Sequence, residues 1–229
     1  MSKKNTAATI ATIVVAVLAI ATTLFLLYQT SQQQIQDNQY NYVPSDEINE
    51  EMNMNAVTLI KNNCEVFRIF LQYGLPHQAE PYNNVPEDGY YTVKSDNYKT
   101  ISDIETLVNS TFVEKEAKRI LTNINGDNVA VYAEETADDG NKGIGLDVSM
   151  VDENGRFKAI AYDYTWSNAK FTLHPKSNTE CDIIVELNPA EETSSAENAS
   201  SGSDDSNTKK VTANMLKVNG EWRLQKLVY

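Results

Sequence analysis

The side chains able to do covalent or metal chemistry are few. Two cysteines, Cys64 and Cys181, and two histidines, His77 and His174, are the whole complement in 229 residues. A cysteine beside a histidine could act as nucleophile and base, the imidazole taking the thiol proton. Nucleophilic cysteines sit at helix starts, where the dipole lowers the thiol pKa, whereas Cys64 falls in the later half of a helical pattern beside Glu65. No catalytic residue is therefore assigned, and the chain is read as a non-enzyme. Neither cysteine has a Cys or His neighbour two to four residues away, so zinc spacing is absent and no metal is expected.

The acidic, glycine-containing run ADDGNKGIGLD at 137–147 invites a calcium reading. It lacks the alternating oxygen ligands and the terminal glutamate of a helix-loop-helix site, so a flexible loop between strands is expected. Gly143 and Gly145 lack the third glycine and the following helix of a dinucleotide fingerprint, and no cofactor is expected. The aromatics Tyr90, Tyr91, Tyr98, Tyr162, Tyr164 and Trp166 remain, as packing with one or two at a contact surface. Cys64 and Cys181 are a possible disulfide, for which the chain-entropy model gives about 4–5 kcal/mol, or else two separate buried thiols.

Charge and hydropathy place the molecule. Thirty-two acidic against nineteen basic residues give a net charge of −13, a field that repels phosphate backbones, so nucleic acid is not an expected partner. Residues 9–28, TIATIVVAVLAIATTLFLLY, carry no charge and are long enough as a helix to cross a hydrocarbon core. Lys3 and Lys4 precede the segment and the next basic residue is Lys61, which predicts a cytoplasmic tail of residues 1–8 and an extracytoplasmic remainder. The apolar run exceeds that of a signal peptide and no small-x-small cleavage pattern follows, so a retained signal anchor in the cell membrane is expected. A polar Gln- and Asn-rich stalk spans 29–44. The domain proper is 45–229, interrupted over 189–208 by an acidic, Ser-rich insertion read as disordered.

Within the domain, Ser45 with Asp46 and Glu47 predicts a helix start and Gly74-Leu75-Pro76 its end. Ile48, Met52, Leu59, Ile60, Cys64, Phe67 and Leu71 form its apolar stripe. Thr100 with Asp103 and Thr111 with Glu114 predict two capping boxes and two short helices meeting near Ser110. Beyond Gly126 the period becomes two: Val129, Val131, Ala133; Leu146, Val148, Met150; Cys181, Ile183, Val185, Leu187. Asn154-Gly155 and Asn219-Gly220 each predict a tight hairpin. The fold class is α+β: a transmembrane helix, then helices packed on one face of a curved antiparallel sheet.

The run DGYYTVKSDNYKTISDIETLVNSTFVEKEAKRIL, then NVAVYAEETADDGNKGIGLDV and the closing NGEWRL, resembles the IseA-type DL-endopeptidase inhibitor family of Gram-positive bacteria. The order of parts carries it: an aromatic strand, a threonine-capped helix pair with Phe112 at the junction, a glycine-containing turn and strands. The resemblance spans about residues 45–229, and it implies binding to papain-like cell-wall peptidases and restraint of peptidoglycan cleavage. Members are usually secreted, so the anchor and the acidic insertion depart from the pattern. The expected partner is a cell-wall hydrolase, and the expected contact is the acidic loop with Asp138, Asp139 and Asn141. The alternative is a nuclear-transport-factor-like cone that binds a small ligand or serves as an envelope accessory or sensor domain. A pocket lined by convergent polar groups would distinguish that case from a filled core with a protruding loop.

Overall fold

The computed structural model describes residues 42–77, 89–136, 142–190 and 208–229. The chain divides into two compact units, Met1–Val43 and Pro44–Tyr229, and every element below belongs to the second. Among the described residues no helix is long and apolar enough to cross a membrane. The expected tail at 1–8, the 9–28 anchor and nearly all of the 29–44 stalk lie outside those residues.

Helix α1, Asp46–Phe67, opens where Ser45 accepts a hydrogen bond from the Ile48 N–H and two acidic residues face the helix dipole. Its buried stripe is Met52, Ala56, Leu59, Ile60, Asn63, Val66 and Phe67, so the expected stripe shifts: Ile48 and Cys64 are only half-buried and Asn63 is inside. Asn63 belongs there because its amide donates to the Val228 carbonyl at 2.8 Å and accepts from the Val228 N–H at 3.0 Å, which ties down the C-terminal segment. The helix continues as a π-helical turn, Arg68–Gln72, with the Tyr73 N–H donating to the Arg68 carbonyl five residues back.

Strand β1 is Tyr90–Thr92, and helices α2, Ile101–Thr111, and α3, Glu114–Asn123, follow it. The first predicted cap is present, with the Asp103 carboxylate accepting from the Thr100 N–H at 2.8 Å. The second is corrected. Thr111 ends α2 because its hydroxyl donates back to the Leu107 carbonyl at 2.6 Å, and α3 starts after Val113 with no side-chain cap. Between them, buried Phe112 is extended and bridges Leu224, and the Val113 N–H donates to the Leu224 carbonyl.

All remaining elements but one are strands: β2, Tyr132–Thr136; β3, Lys142–Asp147; β4, Tyr164–Ser177; β5, Glu180–Pro189; β6, Lys209–Val218; and β7, Glu221–Leu224. They form an α+β fold whose antiparallel strands curl into a half-barrel. The single expected sheet is in fact two, ordered β1-β3-β2 and β4-β5-β6-β7. Cys181, Ile183, Val185 and Leu187 of β5 are all fully buried. Slipping β5 by one residue would expose all four, at about 1.5–3 kcal/mol for each large side chain, so the alternation fixes the register. The β6–β7 hairpin turns at Asn219 and Gly220, with φ of 52° and 87°, the paired positive values that this turn demands.

Three other expectations change. Val148–Met150 is a 3₁₀ turn, not strand, and Asn154-Gly155 joins only the isolated bridge Val151↔Phe157, because the Asp152 carboxylate gathers the Asn154 and Arg156 N–H groups into a local turn. Residues 142–147 of the expected flexible loop are β3, the central strand of its sheet. Gly145 fits there because a Cβ would lie 2.8 Å from the Tyr90 side chain crossing it. The 189–208 insertion joins two neighbouring strands of one sheet, with Leu187 opposite Lys209; residues 191–207 lie outside the described ones.

Candidate functional site

Near its start, β4 departs from its partner. Thr165 pairs with Asn188 and the next pair is Lys170 with Glu186, so residues 166–169 stand opposite Leu187 alone. This is a wide bulge, and Asn168 at its centre has a φ of 57°, a left-handed conformation that asparagine tolerates better than most residues. The Ser167 N–H turns back to the Thr165 hydroxyl at 3.1 Å, and the Asn188 amide reaches the Ser167 carbonyl at 3.4 Å. The ladder is thereby opened at one place while the strands on either side hold it rigid.

The bulge forms one wall of a cleft of about 640 Å³. The π-helical end of α1 supplies Gln72 and Tyr73; the approach to β4 supplies Tyr162 and Tyr164; the bulge supplies Asn168 and the end of β5 Asn188. Thr165, Ser167, Pro189 and Ala190 also line it. Among the described residues, eight of these ten carry a neutral hydroxyl or amide and none carries a charge at neutral pH, in a chain where 22% of residues are charged.

Tyr162 is held from behind. Its ring lies 4.9 Å from Phe67 and 6.1 Å from Tyr164, and the Lys209 ammonium sits 5.1 Å from the Tyr162 centroid and 5.2 Å from that of Tyr164. Burial, followed by the Cys64 and Tyr164 side chains, pushes the Tyr162 phenol up to about 12, so it stays a neutral donor and acceptor. Its buried Oη has no hydrogen-bond partner among the described residues, and neither has the buried indole Nε1 of Trp166 in the bulge. Polar atoms of this kind cost about 1–3 kcal/mol when left unpaired.

The residues expected from sequence to carry chemistry lie elsewhere. Cys64 and Cys181 are separate free thiols, so no disulfide joins them: Cys64 is on α1, and Cys181 lies in β5 between Pro175 and Met215. Burial pushes the first up to about 12 and the second to about 11, which keeps both protonated and poorly nucleophilic at neutral pH. Both ring nitrogens of His77 face carbonyls, Leu75 at 3.0 Å and Gly155 at 3.1 Å, so the ring staples two loops. Among the described residues no three of His, Cys, Asp and Glu are grouped so as to hold a metal ion.

Of the six aromatics singled out by sequence, Tyr162 and Tyr164 reach the cleft, while Tyr98 donates to Glu65 at 3.0 Å and Tyr91 faces His77. Asp138, Asp139 and Asn141 lie outside the described residues, although the last β2–β3 pair, Thr136↔Lys142, shows which two strand ends they connect. Sequence reasoning missed Gln72, Tyr73, Asn168 and Asn188; the only local sign was an asparagine-containing break, Ser167-Asn168, in a long strand pattern. No protein-family model matches the chain, and no curated protein matches it.

Proposed function

We propose that residues 44–229 form the extracytoplasmic part of a membrane-anchored binding protein that restrains a papain-like cell-wall DL-endopeptidase. The observation that carries this reading is the β2–β3 hairpin. Its strands pair without interruption from Tyr132↔Leu146 to Thr136↔Lys142, with Ile144 and Leu146 buried in the core. The connection between those strand ends holds Asp138, Asp139 and Asn141, so the acidic group is borne on a hairpin rooted in the core. Carboxylates carried this way suit a basic cleft, and a net charge of −13 speeds encounter with such a partner. The apolar 9–28 segment, preceded by Lys3 and Lys4 and followed by no basic residue until Lys61, supplies the tether.

The test is association of the full-length chain with a basic DL-endopeptidase by surface plasmon resonance at several salt concentrations, alongside digestion of peptidoglycan. The wild type slows digestion. Asp138→Lys with Asp139→Lys lowers the association rate about tenfold and flattens its salt dependence, in keeping with lost electrostatic steering. Digestion at full rate in the presence of the wild-type chain defeats the proposal, and unchanged association of the double variant removes the hairpin from it.

A further inference from the structure

The tyrosine cleft is a site of another kind, and the hairpin does not explain it. We infer that it binds a neutral saccharide, with sugar hydroxyls paired to the amides and hydroxyls of its walls and a sugar face laid on tyrosine.

The lining selects among ligands by exclusion and by fit. An anionic ligand would need a free cation in the wall, and a cationic one a carboxylate; among the described residues the ten that line the cleft offer neither, and the nearby Lys209 ammonium lies over the Tyr162 and Tyr164 rings and donates to the Tyr229 carbonyl. An acyl chain would need apolar walls, whereas eight of the ten present a hydrogen-bonding group. An extended peptide would add to a regular strand edge, and here the ladder is broken by residues 166–169. A sugar hydroxyl donates and accepts at once. Asn and Gln amides, Ser and Thr hydroxyls and the tyrosine phenols do the same, so each can satisfy it in either sense. The negative face of an aromatic ring completes the match by receiving the weakly positive C–H bonds of a pyranose.

Geometry supports the assignment at three points. Tyr73 is 64% exposed at the mouth and has a side chain available for stacking. Asn168 is held in a left-handed conformation by the bulge, which aims its position independently of the strand pleat. Tyr162 and Tyr164 both line the cleft, their rings 6.1 Å apart, and give it a second aromatic surface. The volume of about 640 Å³ falls within the range of small-molecule sites, about 300–1,000 Å³.

The experiment is calorimetric titration of the full-length chain, held in a detergent without a sugar headgroup, with chitotetraose and with cellotetraose. The expected result is saturable binding of at least one, weakened about tenfold or more by Tyr73→Ala and by Asn188→Ala and largely retained by Tyr73→Phe. Tyr73 is exposed, so its truncation leaves the fold intact, as circular dichroism would verify. Asp138→Lys with Asp139→Lys keeps wild-type saccharide affinity, whatever it does to a peptidase, which separates this site from the hairpin. Failure of both tetrasaccharides to bind overturns the inference. So does a Tyr73→Ala variant that binds as the wild type does, or equal loss of affinity in the hairpin variant.

Discussion

Two tyrosines with buried hydroxyls frame the molecule's two kinds of region. Tyr132 donates to the Ile69 carbonyl at 2.6 Å and accepts from the Leu75 N–H at 2.9 Å, closing the π-helical turn onto β2. Around it, Arg68 grips both oxygens of Glu65, Tyr98 adds a third bond, and Glu116 takes Arg119 and the Leu227 N–H. Tyr162 is half-buried against Phe67 and Tyr229, and its hydroxyl pairs with nothing among the described residues. The paired polar atoms around Tyr132 tie elements together, whereas beside the bulged wall Tyr162 Oη and Trp166 Nε1 are buried with no partner among the described residues and add no such tie.

The same substitution should therefore act differently at the two positions, with the largest effect at Tyr132. Tyr132→Phe removes one group and strands two buried backbone partners, and it should cost about 2–3 kcal/mol, read as a lowered urea midpoint at unchanged slope. A loss below about 0.5 kcal/mol would mean that the π-helical turn relaxes to find other partners, and the contrast would fail.

Acid should separate the regions next. The two hydrogen bonds from Arg68 hold the Glu65 carboxyl below its ordinary 4.5, outweighing burial, and Tyr98 adds to them. At Glu116 burial is the largest influence and pushes upward, but Arg119, the Leu227 N–H and Lys226 together leave the carboxyl below 4.5. Both folded values lie below the unfolded one, so this stability is complete above about pH 4.5 and is lost as pH falls through the folded values. Urea midpoints should fall between pH 5 and pH 3, and Glu65→Gln with Glu116→Gln should start lower and fall less. Saccharide affinity, with no carboxylate in the cleft lining, should stay level from pH 8 to pH 5. A midpoint that falls equally in the double variant would move the acid sensitivity to other carboxylates.

Legibility in the sequence follows the range of the interactions. The α1 start, the Thr100–Asp103 cap, the β5 alternation and the Asn219-Gly220 turn are each decided within about ten residues, and each stands as expected. Thr111 reads as a cap because a threonine three residues before a glutamate fits either end of a helix; the Leu107 carbonyl decides which. Asn63 looks wrong for a core until Val228, 165 residues away, supplies its partners. The cleft is harder still, since it needs Tyr73, Asn168 and Asn188 to converge from three elements, and no local pattern announces a bulge of four residues against one. Two of its three tyrosines, Tyr162 and Tyr164, were visible as candidate contacts, while Tyr73 and the amides were not.

The smallest effect is the most telling, because its sign is at stake. At Tyr162, replacement by phenylalanine removes a buried hydroxyl that bonds to no group among the described residues, and leaves the ring contacts to Phe67, Tyr164 and Tyr229 in place. The phenol is neutral throughout the working range, since burial raises it to about 12, so no charge is lost with it. Removing an unsatisfied polar atom relieves a desolvation cost of about 1–3 kcal/mol, and the void left by one oxygen takes part of that back. Tyr162→Phe should therefore be neutral or stabilising by up to about 1 kcal/mol, and because the hydroxyl has no surface open to the cleft, tetrasaccharide affinity should change by less than about twofold. Destabilisation on the scale of Tyr132→Phe would show that the hydroxyl is structural, and the two tyrosines would then belong to one class of region.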